Sequence, residues 1–262
     1  MLSDSLRRSA IIQLRVIHAL IMREVITRYG RHNIGFLWLF LEPMLFTLGV
    51  TTLWTLTKSI HRSSLPIVAF AVTGYSSVLL WRNVSNRCVK ALEPNLELLH
   101  HRNVTILDVY IARIFLEVAG ATVSCTVLTV FFSLAGWMQV PSNLLLAIFG
   151  WAMLSWFAAS LGLLIGAFSE KGELADRVWH IFTYLLFPLS GAGFLVDWMP
   201  ESFQNFIYWV PMVHGTEMIR HGFFGSLMNP HYDAVFLACV NSFLTVLGLS
   251  MSRQLRHHVQ PT

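Results

Sequence analysis

His214, Glu217 and His221 stand three and four residues apart, so a helix would carry them on one face as an imidazole, carboxylate and imidazole able to hold a metal. An amphipathic surface helix with a wet polar side displays the same spacing. That is the reading taken, and no metal site is expected. Glu42, followed by Pro43 inside a long apolar run, is a carboxylate that costs about 2.5–3.5 kcal/mol to insert unless it is paired or faces water. It should point into a protein interface or a cavity, as a structural hydrogen bond to a neighbouring helix or as part of a path. Tyr75 sits in the polar run Thr73-Gly74-Tyr75-Ser76-Ser77, a face that should avoid lipid. The nine tryptophans could stack on sugar rings, but Trp54, Trp81, Trp137, Trp198 and Trp209 fall where an interfacial aromatic belt is expected in any case. Trp38 and Trp156 lie deeper in apolar runs. Packing is their default role, with Trp38 kept as a residue that could line a path.

The motifs of common catalysis are missing. No lysine follows a glycine, so the chain has no phosphate-cradling G-x-x-x-x-G-K-[ST] loop, and neither H-E-x-x-H nor G-x-S-x-G occurs. The carboxylates are scattered rather than paired. Cys88, Cys125 and Cys239 are odd in number and far apart, which supports neither a disulfide framework nor a zinc cluster. An enzymatic role has little support, no cofactor is expected in this chain, and nucleic acid is not an expected partner.

The elements that would position these residues are membrane helices. Of 262 residues 55% are hydrophobic and 12% charged, and the mean hydropathy is +0.60, which leaves too little polar surface to cover a water-soluble globule of this size. The expected class is an all-α polytopic membrane protein. Six runs are candidate spans of a core about 30 Å thick: Ile34–Thr57, Leu65–Trp81, Val109–Gly136, Leu144–Phe168, Val178–Val196 and Ala234–Met251. In the third, Arg113 and Glu117 are four residues apart and can pair. Residues 9–27 are broken by Gln13, Arg15, His18, Arg23 and Glu24, so an interfacial helix is expected there. Between Pro200 and Pro230 the pieces Glu201–Val210 and His214–Phe224 are too short to cross, which predicts an external re-entrant or interfacial helical hairpin before the last span. Gly162-x-x-x-Gly166 invites close approach of another helix, of this subunit or another.

With six spans, one side of the membrane holds all of the 18 Lys and Arg except Lys58, Arg62, Arg113 and Arg220. Both termini are therefore expected in the cytoplasm. No signal peptide is expected. The chain reads as one transmembrane domain, with 1–33 a cytoplasmic interfacial segment, 34–252 the membrane region and 253–262 a cytoplasmic tail.

Arg23-Glu24-Val25-Ile26-Thr27-Arg28-Tyr29-Gly30-Arg31, continuing through Ile34-Gly35-Phe36-Leu37-Trp38 to Leu41-Glu42-Pro43, resembles the opening of the membrane subunits of ABC-2 type exporters for capsular polysaccharide. A second stretch, Phe187-Pro188-Leu189-Ser190-Gly191, Met199-Pro200, Trp209-Val210-Pro211-Met212-Val213-His214 and Glu217-Met218-Ile219-Arg220, is similar to the late hallmark of that family, a broken fifth helix followed by an external hairpin. Val210-Pro211 stands where the family commonly has Asn-Pro. Together the two stretches flank nearly the whole chain.

The resemblance implies a homodimeric inner-membrane permease of a Gram-negative cell, docked to two P-loop ATPase subunits that bind the ATP and Mg. Periplasmic and outer-membrane export components would complete the route of a lipid-linked polysaccharide. On that reading ATP-driven motion enters through two segments, one bearing Glu93, Asn95, Glu97, His100, His101 and Arg102, and the turn bearing Glu170, Lys171 and Glu173. The first is expected to form a short coupling helix. Arg28 and Arg31, where the surface helix joins the first span, are expected to attract the anionic cargo at its entrance, by the planar donor fork that suits phosphate and carboxylate. The alternatives are an ABC-2 permease for O-antigen, teichoic acid or a drug, and a membrane-embedded transferase acting on lipid-linked sugars.

Overall fold

The computed structural model describes residues 2–29, 33–57, 65–99 and 104–259, and among them every regular element is helical. In chain order these are α1 (Leu2–Tyr29), α2 (Asn33–Thr57), α3 (Ile67–Cys88), a 3-10 turn (Glu93–Asn95) leading into α4 (Leu96–Leu99), α5 (Ile106–Leu134), α6 (Leu144–Ser169), α7 (Glu173–Leu189), α8 (Glu201–Ile207), α9 (Pro211–Phe224) and α10 (Ala234–Val259). Five of them, α2, α3, α5, α6 and α10, are long and apolar enough to cross a membrane.

Local chemistry sets the helix starts. Thr105 and Asp108 form a capping box, the Thr105 hydroxyl accepting from the Asp108 N–H and the Asp108 carboxylate accepting from the Thr105 N–H at 2.8 Å. The Asn143 side chain caps α6 by accepting from the Leu146 N–H at 3.0 Å. Within the apolar helices Thr51, Thr73, Ser77 and Ser85 return their hydroxyls to carbonyls four residues back at 2.7 Å. That satisfies them without water.

α6 lies at the centre, against α3, α9 and α10. Its glycines permit this. A Cβ on Gly162 would meet the Val84 and Cys88 side chains, and one on Gly166 would lie 2.5 Å from the Tyr110 ring and 2.9 Å from the Cys88 carbonyl. The Gly162-x-x-x-Gly166 contact is therefore made within one chain, to α3 and α5. Gly150 and Gly222 do the same between α6 and α9.

Several sequence expectations change. The second run was expected to end at Trp81, whereas α3 continues to Cys88. Burial of Val84, Ser85 and Cys88 between neighbouring helices sustains those turns despite their polarity. The fifth run was expected over Val178–Val196, but α7 ends at Leu189 and starts at Glu173, because Pro188-Leu189 is followed by Gly191 in the left-handed region (φ 78°). Beyond what the sequence suggests for Arg113 and Glu117, each also has an ion-pair partner on another helix, Glu24 at 3.1 Å and Arg87 at 3.6 Å.

The largest change concerns α9. A wet amphipathic surface helix was expected, yet every residue from Met212 to Arg220 is buried. The trio goes to separate partners. His214 Nε2 meets the Tyr208 carbonyl and its Nδ1 accepts from the Asp233 N–H, Glu217 accepts from the Val196 and His231 N–H groups, and His221 meets the Tyr232 hydroxyl. Arg220 donates to the carbonyls of Gly191, Phe194 and Ala192 at 2.5, 2.6 and 2.5 Å, and its guanidinium lies 3.8 Å from the centre of the Phe70 ring. It thus holds the chain after α7 against α3, where Gly74 leaves room: a Cβ there would strike the Ala192 carbonyl and lie 2.5 Å from the guanidinium.

Candidate functional site

Two groups of the expected residues are drawn together, one beyond the end of α3 and one beside its middle. At the end of the bundle that carries α1 and α4, the chain leaves α3 through Lys90, which has φ 47°. The Lys90 N–H donates to Ser169 Oγ at 3.0 Å and the Leu92 N–H to the Glu170 carboxylate at 2.9 Å. The end of α6 thereby caps two backbone donors of the segment leading to α4. Asn95, buried in that segment, donates to the Ala91 carbonyl at 2.8 Å and accepts from Arg23 of α1, which also donates to the Pro94 carbonyl at 3.0 Å. Gln13 of α1 donates to Asp108 at the start of α5. The result is one block in which α1, the 89–99 segment, α5 and the α6–α7 turn are mutually tied.

Of the residues expected there, Asn95 and Glu170 face inward and build the block. Glu93, Glu97 and Lys171 are exposed, Glu93 in an ion pair with Lys90 at 3.2 Å. His100, His101, Arg102 and Arg31 lie outside the described residues, as do the side chains of Arg28 and Glu173. Burial pushes the Glu170 carboxyl above the ordinary carboxylate range, against the opposing pull of the Leu92 N–H. Glu170→Ala is expected to free the Leu92 N–H and detach the 89–99 segment from α6, at about 1–3 kcal/mol for an orphaned donor. Glu170→Gln keeps an acceptor and should lose less. Trypsin cleavage at Lys90, compared among the three proteins, measures it, and equal rates for wild type and alanine would contradict it.

The second group lies where α2, α3 and α7 meet. Tyr75 is half-buried among Phe46 (ring centres 5.9 Å apart), Trp54 (5.2 Å, edge-on) and Phe187 (6.0 Å). Trp54 stacks on Phe70, and Phe70 on Trp198. Two turns along α3 from Tyr75, Arg82 lies over the rings of Tyr184 and Phe187 at 5.2 and 5.6 Å. Trp38, Glu42 and Phe46 repeat every four residues and so share one stripe of α2. Trp38 and Glu42 are exposed in the single chain, Glu42 with Arg87 at 3.9 Å. The stripe reaches Tyr75 through Phe46. This arrangement is a wall of aromatic faces punctuated by the guanidinium of Arg82 and the carboxylate of Glu42.

Phe46, Arg82, Ser169 and Arg23 were not singled out as site residues. Arg82 and Arg23 carried only the general signal of basic residues on one side. Nothing in their types marks Phe46 or Ser169.

The sequence profile described as ABC-2 type transporter matches residues 15–224. The chain belongs to the ABC-2 type transporter family. It is 42% identical over 253 residues to the capsule polysaccharide export inner-membrane protein CtrC of Neisseria meningitidis serogroup B, covering 97% of this chain and 96% of the relative. It is 40% identical over 255 residues to the capsule polysaccharide export inner-membrane protein BexB of Haemophilus influenzae, with the same coverage. The polysialic acid transport protein KpsM of Escherichia coli is 26% identical over 245 residues, 92% of this chain and 94% of that protein.

Proposed function

We propose that this chain is the permease of an ABC exporter that carries lipid-linked capsular polysaccharide across the bacterial inner membrane, driven by two separate P-loop ATPase subunits. The observation that carries this reading is the end-to-end similarity to BexB and CtrC at 40 and 42% identity. In this reading ATP and Mg are bound by the partner, which the lack of a P-loop motif in this sequence supports.

In this reading α7 is the sixth span. Its 17 residues reach about 26 Å at 1.5 Å each, a few Å short of the core, a mismatch that an upright helix meets by local thinning of the bilayer. The termini, α1 and α4 are cytoplasmic, and α8 with α9 forms the external hairpin. Among the described side chains of α7, those fully buried against its own chain are Ala175, Trp179 and Thr183, and α2 exposes Trp38, Leu41, Leu45 and Leu53. These two faces meet a second copy, and the polymer passes between the aromatic walls containing Tyr75, with Trp38 and Glu42 on the approach and Arg28 and Arg31 at the entrance. Periplasmic and outer-membrane components receive it.

Motion enters through the 93–102 segment and the 169–173 turn, which are coupled because Ser169 and Glu170 hold Lys90 and Leu92, the residues just before the former. The test is cysteine cross-linking to a candidate P-loop ATPase subunit from the same genome, with both proteins co-expressed. Cysteine at Leu96 or Glu97, both exposed, is expected to capture the ATPase. Cysteine at Leu99, buried beneath them, is expected not to. Failure at both exposed positions in a complex that still hydrolyses ATP would reject the coupling role. Failure of the two proteins to co-purify, together with cargo movement by the chain alone, would reject the exporter reading.

A further inference from the structure

Between the second half of α1, the end of α3, the turn before α4 and the first turns of α5 lies a cavity of about 280 Å³. Three guanidinium groups border it, those of Arg23, Arg87 and Arg113, against a single carboxylate in its lining, Glu24. Two of the arginines hold the walls in place. Arg23 binds Asn95 and the Pro94 carbonyl, while Arg113 meets Glu24 at 3.1 Å and donates to the Arg87 carbonyl at 2.8 Å.

Arg87 is held differently. Its ion-pair distances are 3.6 Å to Glu117 and 3.9 Å to Glu42, and its side chain is 44% exposed. Charge-assisted N–H to oxygen bonds are about 2.7–2.9 Å long, so these carboxylates orient the guanidinium without engaging its donors closely. Asn86, also in the cavity wall, has its amide oxygen taken by Trp179 Nε1 at 2.9 Å. Its amide nitrogen is left as a donor.

α1 supplies the level of the cavity relative to lipid. Gln13 and Leu20 dock on the bundle, whereas Ile11, Leu14, Met22 and Ile26 are exposed and fall on the opposite helical face by their spacing. Exposed Arg7, Arg15 and His18 share that outer face, and a helix docked on one side with mixed apolar and basic residues on the other lies in the interface, its apolar groups toward acyl chains and its basic groups reaching the headgroups. The cavity beside it is then at headgroup depth, where basic recesses between helices hold phosphate groups.

We propose that this cavity binds the phosphate ester of an anionic lipid headgroup, with Arg87 as its principal ligand and Asn86 as a second donor. Arginine fits the group because its planar fork can give two parallel bonds to phosphate oxygens. The bound phosphate replaces the loose pairing with Glu42, the carboxylate on the α2 stripe that leads to Phe46 and Tyr75. The proposal rests on the permease reading only for its place in transport, since a lipid-anchored polymer brings its anchor to this depth. Binding itself is measured without ATPase or cargo.

The experiment uses the full chain in neutral detergent, titrated with phosphatidylglycerol labelled on an acyl chain and, in parallel, with equally labelled phosphatidylcholine. Wild type is expected to prefer phosphatidylglycerol. Arg87→Gln and Asn86→Asp are each expected to weaken that binding about tenfold, as loss of a hydrogen bond to a charged group does, with Arg253→Gln, an exposed charge at the end of α10, as the unaffected control. Asn86→Asp keeps the acceptor for Trp179 and places a negative charge in the cavity, so it decides the matter should Arg87→Gln fail to fold. Displacement of the labelled lipid by millimolar inorganic phosphate assigns recognition to the phosphate alone. Resistance to displacement assigns it to the intact lipid ester, and either result supports the site. Unchanged phosphatidylglycerol binding in the folded variants, or no preference over phosphatidylcholine in wild type, overturns it.

Discussion

Arg220→Leu is expected to abolish accumulation of the folded protein, and with it export. The side chain is fully buried and donates to three carbonyls of the segment after α7. Leucine leaves those carbonyls, and Glu217 beside them, without the cation. Removing one partner of a buried, hydrogen-bonded charge costs about 3–5 kcal/mol, a large part of the 5–15 kcal/mol that holds a typical domain folded. Arg220→Lys is expected to fail nearly as badly. An ammonium on a flexible stem cannot reach three carbonyls in different directions while lying flat over Phe70. Detergent-solubilised protein followed by size-exclusion fluorescence reads the outcome, and a monodisperse leucine variant at wild-type level would contradict it. The effect should reach the aromatic wall as well, because Phe70, under the guanidinium, is stacked between Trp54 and Trp198.

The second large effect is expected at Gly222. A Cβ there would lie 2.7 Å from the Ala147 Cα and 2.8 Å from its Cβ, and would also strike the Ala147 nitrogen. These atoms belong to a helix, so no rotamer change can relieve the contact. Gly222→Val must push α9 away from α6, and the same movement stretches the bonds by which Asn143 N–H and the Ser142 hydroxyl reach the Gly222 carbonyl at 2.8 and 3.1 Å. Overpacking of this kind costs about 1–3 kcal/mol, and more where backbone must move. Gly49→Ala is the matched control. Nothing lies within 4 Å of the added carbon, and alanine favours a helix over glycine by about 1 kcal/mol, so the thermal midpoint should hold or rise. Comparable loss of stability in both variants would show that the α6–α9 contact is not the cause.

The two expectations differ in how much of them could be read from residue order. Membrane class, the absence of a nucleotide loop and the approximate positions of the apolar helices follow from composition and run length, because the cost of unpaired polar groups in hydrocarbon is paid locally. The non-crossing pieces around Pro211 follow in the same way. The role of Arg220 does not. Counted as a loop charge, it is one cation among few on its side, and its burial depends on carbonyls 26 to 29 residues earlier. α9 was misread for the same reason: its polar face is satisfied by backbone groups of the 190–196 and 231–233 segments rather than by water.

The candidate site divides along the same line. Tyr75 and Glu42 could be chosen because a polar residue in an apolar run needs an explanation, and Asn95 and Glu170 because they lie in the two segments through which the family resemblance brings in ATP-driven motion. Their partners could not, since Phe46, Arg82, Ser169 and Arg23 are ordinary residues for their surroundings and acquire meaning only by contact. Residue order alone determined the solvent of this protein, its helical class and the spans dictated by hydrophobic length. Tertiary structure alone decided that Gly162 and Gly166 receive α3 and α5 of the same chain, that the segment before α4 is fastened to α6 and α1, and that α9 is buried. Hydrophobic insertion reads a sum along the chain, whereas hydrogen bonds, ion pairs and close packing between helices depend on which distant residues the fold brings within about 4 Å.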